Sequence, residues 1–585
     1  MKYTALWNGL RAPAAWVPTA LLLVWCVGIF GRAYWTPDEP READIAWRMS
    51  WQADKAVPLL AGEAFCEKPP LTYWLAAVPI RLFGAEAWST RAPNLLYAAI
   101  TALAVGWLAR RSAGRTAGFV GAAAMSTFLL SYQVAIWLAT DAPLLAAVSM
   151  ALLGVYRGFY AAQSRERLHG YLLMHAALGA GFLSKSAVAW MVPALTLMTL
   201  IVWEKRWREL LRWELYLGLI VQAAMIGSWV WFVYAGPDGL AHLKVFFWNN
   251  LVGRFTHVDA PQELQYAAAH RNSPGKYLIE LPLYLCPWTL LAVAALRRAV
   301  LQRQVSFDAH RPVRFALAVS VPPLLLLSLA ATARNVYLAP ALPGIALLLA
   351  WWAGVCLEQP DRWDIRAMRA TAVLLLAGVA TFAAAAYLVG ADAWVSMRSH
   401  AAFIVISVAG LVAASLFALH AWSAAQGRVS RALPALLLAY CALLVGPASQ
   451  IYREVDTWQD LGSIARAIGQ DSADKPLILF APDETTRAMI DMYARTSVAL
   501  IPGPIEAAAV DRLKTDVGAA PQSLVVVQLP HPALTVATAF GTAHRSDDQP
   551  ELPWAEAAGL RVAKSYSLPN GRRYALLEAI PTSSR

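Results

Sequence analysis

Apolar stretches recur along most of the chain and constrain its fold more than any other feature. A helix needs about 20 mostly apolar residues to cross the hydrocarbon core of a bilayer. Hydrophobic residues make up 58% of the 585 residues and charged residues only 15%, which excludes a disordered chain and a single water-soluble core. We therefore predict an α-helical integral membrane protein with about 13 transmembrane helices. These lie near residues 14–31, 92–109, 117–138, 142–160, 170–183, 187–203, 215–235, 277–296, 314–332, 336–355, 368–390, 402–421 and 432–449.

The positive charges of the loops predict which end of each helix faces the cytoplasm. Cytoplasmic loops of membrane proteins are enriched in Lys and Arg, and the chain carries a net charge of +11. The apolar stretch at 71–84 is counted as interfacial, because it is short and contains Pro79 and Arg81. The basic charge then needs no nucleic-acid partner, and we expect none. With the N-terminus inside, the cytoplasmic loops, each with several basic residues, lie at 109–115, 156–170, 204–212, 297–314, 358–369 and 423–431.

The opposite, periplasmic face collects the two longest loops and the C-terminal part of the chain. The first loop covers residues 32–91, and the second covers residues 236–276. After residue 450 the pattern changes. WQDLGSIARAIGQ and ETTRAMIDMYARTS have helical periodicity, whereas PLILFAP, SLVVVQLP and the pair in SYSLPNGRRYALLEAI are typical of strands. We therefore predict a transmembrane domain at 1–450 and a periplasmic soluble α/β domain at 451–585.

Two short motifs in the first loop place charged groups at the membrane surface. Asp38 and Glu39 follow the first span directly, and on their own they also fit an interfacial charge with a helix N-cap. The second motif is Glu67–Pro70. Its two prolines fix φ, so the charged side chains before them point in a defined direction. Tyr73 and Trp74 then anchor the following helix at the level of the lipid headgroups.

Three motifs in this region resemble the ArnT family. They are Pro37–Ala43, Gly62–Leu75 and Phe83–Asn94. ArnT proteins are aminoarabinose transferases of the GT-C class, which are multi-span glycosyltransferases that use polyprenyl-phosphate sugars. The likeness is dense over residues 30–95 and continues more faintly to about residue 355. It implies a helical GT-C fold in which the transmembrane domain is catalytic.

The resemblance implies that several side chains contact the sugar donor and its lipid phosphate. Sugar transfer from a lipid phosphate needs positive charge for the departing phosphate. Lys68 would supply it as a point charge on a stiff loop, and Arg254 as a bidentate fork. The alternative interpretation of either residue, taken alone, is a long cationic side chain that extends along the apolar surface to the lipid headgroups. The remaining predicted substrate contacts, for which interfacial anchoring is the competing interpretation, are Arg41, Tyr73, Lys185 and Tyr337.

Asp38, Asp141 and Glu39 are the predicted catalytic residues. The resemblance implies that Asp38 is the first-loop acid of the family and that Asp141 lies near it; Asp141 alone also fits a helix N-terminal charge. A phosphate acceptor has a second pKa of about 6, so Asp38 would orient it, or a metal, without removing a proton. A Ser or Thr hydroxyl acceptor would require Asp38 to act as a base. Arg41 is either a salt-bridge partner of Asp38 or a sugar contact.

A metal site is a further hypothesis for this face. Glu67 with a histidine from the second long loop would hold one divalent ion, either zinc or magnesium, and His257 and His270 are the candidate histidines. The sequence contains no metal-ligand spacing. Histidines of a solvated loop fit the same pattern.

The function implied by the resemblance is glycosyl transfer at the periplasmic face of the bacterial inner membrane. The donor would be undecaprenyl phosphate carrying 4-amino-4-deoxy-L-arabinose, and the acceptor a phosphate of lipid A or another periplasmic molecule. This lipopolysaccharide modification would give resistance to polymyxin and other cationic antimicrobial peptides. A second hypothesis keeps the class but changes sugar or acceptor, as in protein O-mannosyltransferases. A transporter or flippase is the third, although the sequence shows no repeat and its distinctive charges lie at one face.

The predicted topology can be tested with a reporter fused to the C-terminus. We expect alkaline phosphatase to be active and green fluorescent protein to be dark, because the predicted number of spans places the C-terminus in the periplasm. The same reporters fused after residue 160 should give the opposite result. Fluorescence from the C-terminal fusion would overturn the predicted orientation.

Overall fold

The computed structural model describes residues 13–254, 273–302, 310–330, 334–393, 397–494, 496–529 and 552–580. Within these ranges, 8 helices are long and apolar enough to cross a membrane, or 9 if one bent pair of helices is counted as a single span. Many large apolar side chains on these helices are exposed at the surface of the protein. Lipid favours such a surface, and water does not. The chain is therefore a multi-pass membrane protein.

Each predicted span overlaps a helix. Short 3₁₀ or π segments lie at Trp207–Leu211, Val245–Leu251, Val252–Arg254, Asn335–Ala341 and Leu444–Ala448. In chain order, the α-helices before the C-terminal sheet are Pro13–Ile29, Asp38–Trp51, Leu71–Phe83, Ala87–Arg91, Pro93–Thr127, Leu129–Ile136, Asp141–Phe159, Ser164–Lys185, Val188–Trp203, Trp213–Ala235, Gly239–Lys244, Lys276–Tyr284, Thr289–Leu301, Arg311–Leu329, Leu342–Glu358, Arg362–Ala393, Met397–Ala424, Val429–Leu443 and Ser449–Thr457.

The longest helical segment, Pro93–Thr127, contains a reversal that separates two predicted spans. Gly114 has a φ of 90°, a conformation that glycine adopts without steric cost. A Cβ added to Gly106 would lie 3.1 Å from the carbonyl oxygen of Gly118, whereas these residues would be about 18 Å apart along a straight helix. The chain therefore turns back at Gly114, and the two spans pack side by side.

Four of the loops predicted to be cytoplasmic meet in pairs at one end of the bundle. The Tyr160 hydroxyl donates to Glu204 at 2.8 Å, and Arg314 forms an ion pair with the same carboxylate at 3.1 Å. Arg298 pairs with Asp364 at 2.5 Å. These contacts join the 156–170, 204–212, 297–314 and 358–369 loops, as expected if those loops share one side of the membrane.

The Leu71–Phe83 helix packs as an amphipathic surface helix. One side, which includes Tyr73 and Ile80, is buried against the Asp38–Trp51 helix and against Ala488 from the C-terminal part of the chain. On the other side Leu82 is exposed. A helix that packs on elements outside the bundle on one side and presents apolar side chains on the other suits the membrane interface.

The C-terminal region forms a five-stranded mixed sheet. Its strands are β3 (Leu477–Phe480), β4 (Val498–Ile501), β5 (Leu524–Leu529), β6 (Leu560–Ser567) and β7 (Arg573–Ala579), numbered after the two short strands of the first loop. The order in the sheet is β4-β3-β5-β7-β6, with β3 parallel to β4 and β5, and β7 antiparallel to β5 and β6. The predicted strands and both predicted helices are present, which confirms the α/β prediction. The edge strand β4 and two helices, Ala507–Ala519 and Pro553–Ala557, were not predicted from the sequence. The helices of the C-terminal region are Leu461–Asp471, Glu484–Tyr493, Ala507–Ala519 and Pro553–Ala557. A separate two-stranded hairpin in the first loop consists of β1 (Leu59–Leu60) and β2 (Glu63–Ala64).

Buried ion pairs fasten the C-terminal region to the first loop. Arg48 lies between Asp44 on its own helix, at 3.1 Å, and Asp491, at 2.6 Å. Burial raises the pKa of Asp44 to about 7, against the opposing effect of Arg48. Arg48 therefore keeps two buried carboxyl groups compensated. Further ion pairs that join the same two regions are Arg32–Asp456, Arg41–Glu484 and Arg487–Glu63.

Removing Arg48 should destabilise this junction strongly. Arg48→Ala would leave Asp44 and Asp491 without a cation, and removing one partner of a buried pair costs about 3–5 kcal/mol. Arg561→Ala is the matched control, because Arg561 pairs with Glu578 at 2.7 Å but is 59% exposed, and exposed pairs contribute about 1 kcal/mol or less. Thermal unfolding of the purified full-length protein should show the difference. Equal melting temperatures for the two variants would contradict it.

Candidate active site

Glu39 is the most heavily hydrogen-bonded acid of the first loop. Its side chain is only 1% exposed. The guanidinium of Arg91 donates to both carboxylate oxygens, at 2.8 and 2.5 Å. The backbone amides of Trp35 and Leu138 donate to them as well, at 2.6 and 2.7 Å. A carboxylate offers about four acceptor sites, so Glu39 has no lone pair directed at a substrate.

The partners of Glu39 position the two predicted catalytic aspartates relative to each other. Asp38 directly precedes Glu39, and Leu138 closely precedes Asp141 in the chain. The hydrogen bond from the Leu138 amide to Glu39 therefore joins the two segments that carry the acids. This placement does not support the predicted catalytic role of Glu39. It favours a positioning role, because a saturated, buried carboxylate holds neighbouring backbone in place.

Asp38 lies in the first turn of the Asp38–Trp51 helix and faces Arg334. The Asp38 Oδ2 atom is 3.5 Å from Nη1 of Arg334, and the side chains are 34% and 55% exposed, respectively. The N-terminal position favours a negative charge, because the helix dipole is positive at that end. The pair is loose and open to ligands. Arg334 was not among the predicted site residues.

Asp141 and Lys185 form a second acid–base pair. The Lys185 Nζ atom is 2.5 Å from Asp141 Oδ1, and it also lies 5.1 Å from the centre of the Tyr337 ring. Asp141 begins one helix and Lys185 ends the next, so each charge complements the dipole of its own helix. The structure thus brings together three of the predicted residues.

Close packing of two antiparallel helices puts Asp141 beside Lys185. A Cβ on Gly170 would lie 2.3 Å from the backbone nitrogen of Gly158, and a Cβ on Gly154 would lie 2.5 Å from that of Met174. Only glycine allows backbones to approach so closely. The register of the two helices, and with it the position of the ion pair, therefore depends on these small residues.

Lys68 forms the third acid–base pair, with Glu42. Its Nζ atom contacts one oxygen of Glu42, and the Tyr73 hydroxyl donates to the other oxygen at 2.9 Å. Burial alone would lower the pKa of Lys68, but the Glu42 carboxylate outweighs burial and raises it, so the side chain is a cation. Burial, reinforced by Glu42, raises the pKa of Tyr73 well above its ordinary value, which keeps the phenol a donor.

Arg41 points to the C-terminal region instead of to Asp38. Its Nε atom is 2.8 Å from Glu484, which begins a helix after strand β3. Its guanidinium also lies 5.9 Å from the Phe65 ring. Of the two predicted roles of Arg41, the salt bridge to Asp38 is not formed, and its contacts instead link the first loop to the C-terminal sheet.

The second long loop meets the first loop at Glu67. The side-chain amide of Asn250 donates to the backbone oxygen of Glu67 at 2.5 Å, which brings the segment ending at Arg254 next to the Glu67–Pro70 motif. The side chain of Arg254 lies outside the described part of the structure, as do His257 and His270. Among the described residues, no group of three or more His, Cys, Asp or Glu side chains could hold a metal ion.

The three acid–base pairs form one continuous site. Glu42 is one helical turn after Asp38, and residues one turn apart share a helix face. Arg334, the partner of Asp38, lies three positions before Tyr337, whose ring covers Lys185. The site therefore runs from Lys68 through Asp38 to Asp141 on one side of the bundle. Each of the three cations described in it is paired with a carboxylate, so the charges of the site are compensated before a substrate binds.

The fold matches solved structures of one class. ArnT from Cupriavidus metallidurans bound to undecaprenyl phosphate matches with a TM-score of 0.71 at 18% identity, covering 96% of this chain and 97% of that one. Its apo state matches with a TM-score of 0.69. At this low sequence identity, the structural match shows that the two proteins share a fold. A helical membrane bundle followed by an α/β sheet is the GT-C architecture predicted from the sequence, and that prediction is confirmed.

Sequence comparisons identify the particular relatives within this class. A family model described as dolichyl-phosphate-mannose-protein mannosyltransferase matches residues 67–232. Two curated relatives are named undecaprenyl phosphate-alpha-4-amino-4-deoxy-L-arabinose arabinosyl transferase. The relative from Pseudomonas paraeruginosa is 29% identical over 69% of this chain and 71% of its own length. The one from Pseudomonas aeruginosa is 29% identical over 56% and 57%, so this chain spans little more than half of that relative. The resemblance to ArnT proteins predicted from the first-loop motifs is confirmed.

Adjacent substitutions should separate catalysis from positioning. Asp38→Asn should leave the melting temperature near that of the wild type, because Asp38 is accessible and makes one loose ion pair. It should reduce turnover at least about 100-fold, because the predicted catalytic carboxylate is lost. Glu39→Gln should instead lower stability by about 3 kcal/mol or more, because it leaves Arg91 buried without its counter-ion. Turnover per folded molecule and thermal unfolding should be measured for both. A stable but inactive Glu39→Gln variant would restore the catalytic role of Glu39.

Proposed function

We propose that this protein is a glycosyltransferase that moves 4-amino-4-deoxy-L-arabinose from undecaprenyl phosphate to a phosphate group of lipid A. The observation that carries the proposal is the set of paired cations and acids around Asp38, Asp141 and Lys68, on one side of a GT-C bundle. The names of the curated relatives support the choice of sugar, carrier and acceptor. Such a modification of lipopolysaccharide would make the cell resistant to polymyxin and cationic antimicrobial peptides.

The reaction forms one bond at C1 of the sugar and breaks another. An oxygen of the acceptor phosphate attacks C1, and the bond between C1 and the undecaprenyl phosphate oxygen breaks, with its electron pair staying on the departing phosphate. Attack from the opposite side inverts the configuration at C1. An acceptor phosphate is largely ionised near neutral pH, so no strong base is needed. The main demand is for positive charge beside the departing phosphate.

Lys68 and Lys185 are placed to supply that charge. In the structure each lysine contacts a carboxylate, Glu42 or Asp141, and each is close to a phenol. A phosphate that displaces the carboxylate from either lysine would make a charge-assisted hydrogen bond of similar kind. We assign Lys68, Lys185 and Arg254 to the donor phosphate. Tyr73 then holds Glu42, the carboxylate partner of Lys68, and the Tyr337 ring lies beside Lys185.

Asp38 and Asp141 have different roles in this proposal. Both lie at the N-terminal ends of helices on the same side of the bundle. Asp38 is the more accessible, with 34% of its side chain exposed, against 9% for Asp141. We therefore assign Asp38 to orienting the acceptor and Asp141 to holding Lys185. Arg41, through Glu484, keeps the C-terminal region against this face.

The site is proposed to open to the periplasm of a Gram-negative bacterium, from the inner membrane. Both the loop charges and the gathering of four predicted cytoplasmic loops at one end of the bundle support this orientation. Residues 1–450 would be the transmembrane catalytic domain and residues 451–585 the periplasmic domain. Lipid-linked donor and lipid A would both reach the site from the outer leaflet.

A divalent ion has no step in this mechanism. A zinc or magnesium ion would be held by Glu67 with His257 and His270, and when bound it would add positive charge beside the phosphates. Of these ligands, only Glu67 belongs to the described residues, among which no group of three or more His, Cys, Asp or Glu side chains could hold a metal ion. We therefore assign the positive charge beside the departing phosphate to the lysines.

A protein O-mannosyltransferase-like activity is the second candidate function. The matched family model, which carries that description, covers residues 67–232, a range that includes Lys68, Asp141 and Lys185. The two functions share these residues and differ in the acceptor. A hydroxyl acceptor would need Asp38 as a base, whereas in the structure the Asp38 carboxylate is paired with Arg334.

Mass spectrometry of lipid A would test the proposed function. Expression of the protein in a host that makes the lipid-linked sugar but lacks its own transferase should add the mass of one or two aminopentoses to lipid A. Lys68→Ala should reduce the product at least about 100-fold, because the departing phosphate loses its cation. Lys564→Ala is the matched control: Lys564 pairs with Asp471 at 2.6 Å on the exposed C-terminal sheet, and activity should be unchanged. Unmodified lipid A together with newly glycosylated protein would favour the second candidate.

A further inference from the structure

Arg334 is the most open cation of the site. Its side chain is 55% exposed, whereas that of Lys68 is 27% exposed and that of Lys185 is 17% exposed. Its ion pair with Asp38 is also the longest of the three, at 3.5 Å. An exposed and loosely held guanidinium is the easiest of these cations for an incoming anion to capture.

The backbone that carries Arg334 is fixed although its side chain is open. The Tyr277 hydroxyl donates to the carbonyl oxygen of Arg334 at 2.8 Å, and the Tyr337 amide donates to the same oxygen at 3.0 Å. Tyr277 is fully buried. The guanidinium can therefore turn away from Asp38 while its Cα stays in place, directly before the segment that covers Lys185.

The position of Arg334 favours the acceptor over the donor. The proposed donor-phosphate lysines flank the site, whereas Arg334 faces Asp38, the acid assigned to the acceptor. An anionic phosphate that approaches the Asp38 carboxylate would be repelled unless a nearby cation attracted it. A guanidinium binds a phosphate through two parallel N–H groups, which also fixes the orientation of the phosphate.

We propose that Arg334 binds the phosphate group of the acceptor, exchanging its ion pair with Asp38 for the acceptor anion. This inference rests on the proposed function, and it assigns the acceptor subsite to a residue that the sequence motifs did not single out. Arg334 is thereby a specificity residue for anionic acceptors. A hydroxyl acceptor would gain nothing from it.

The test is steady-state kinetics of the full-length protein in lipid nanodiscs, with the lipid-linked aminoarabinose as donor and lipid A as acceptor. Arg334→Gln should raise KM for lipid A about 10- to 100-fold and change KM for the donor less than about twofold. The KM of Arg334→Lys for lipid A should lie between those of the wild type and Arg334→Gln, because lysine keeps the charge but lacks the two parallel N–H groups of the guanidinium. Arg466→Gln is the matched control. Arg466 is 43% exposed and pairs loosely, at 3.9 Å, with Glu86, so both KM values should stay at the wild-type level.

A second measurement separates substrate binding from folding and turnover. Binding of lipid A without donor should be tighter in Asp38→Asn than in the wild type, because the carboxylate no longer competes for Arg334, even though turnover falls. Lipid A from which the phosphates have been removed should bind the wild type and Arg334→Gln equally. An unchanged KM for lipid A in Arg334→Gln, or a selective rise in the donor KM, would overturn the assignment. If the wild type itself transfers no sugar to lipid A, the proposed function fails first.

Discussion

The carboxylate of Glu39 is the constraint on which the rest of the site depends. It accepts hydrogen bonds from Arg91 and from the amides of Trp35 and Leu138, which come from three separate parts of the chain. These bonds hold the segment before Asp141 against the first turn of the helix that begins at Asp38. The cost of burying this charge is met because all four acceptor sites are used. Without the Glu39 carboxylate, these hydrogen bonds would not fix the distance between Asp38 and Asp141.

Charge matching explains how such a site can exist at a membrane surface and still bind phosphates. Lys68, Lys185 and Arg334 each contact a carboxylate in the structure. Isolated cations here would be costly to desolvate, and isolated acids would repel the substrates. Paired charges avoid both costs. When a phosphate arrives, one anion replaces another at the cation, and the released carboxylate becomes available to the acceptor or to water.

The fold was more predictable from the sequence than the site, for physical reasons. Apolar runs of membrane length and basic loops report on the solvent around each segment, and these local signals predicted the bundle and the α/β sheet. The role of Glu39 depends on partners that are 52 and 99 positions away, which no local pattern reveals. Arg334 was missed because a single arginine after an apolar run fits interfacial anchoring. The position of Arg334 on the face predicted to be periplasmic, where arginine is depleted in membrane proteins, was a usable signal.

A structure of this protein with undecaprenyl phosphate bound would test the exchange of paired charges most directly. We expect the phosphate to lie within hydrogen-bond distance of Lys68 Nζ. The Lys68 contact with Glu42 should be lengthened or lost, while the hydrogen bonds of Glu39 should be unchanged. A phosphate bound elsewhere, with Lys68 still held by Glu42 and no cation of the site within reach, would contradict the central claim.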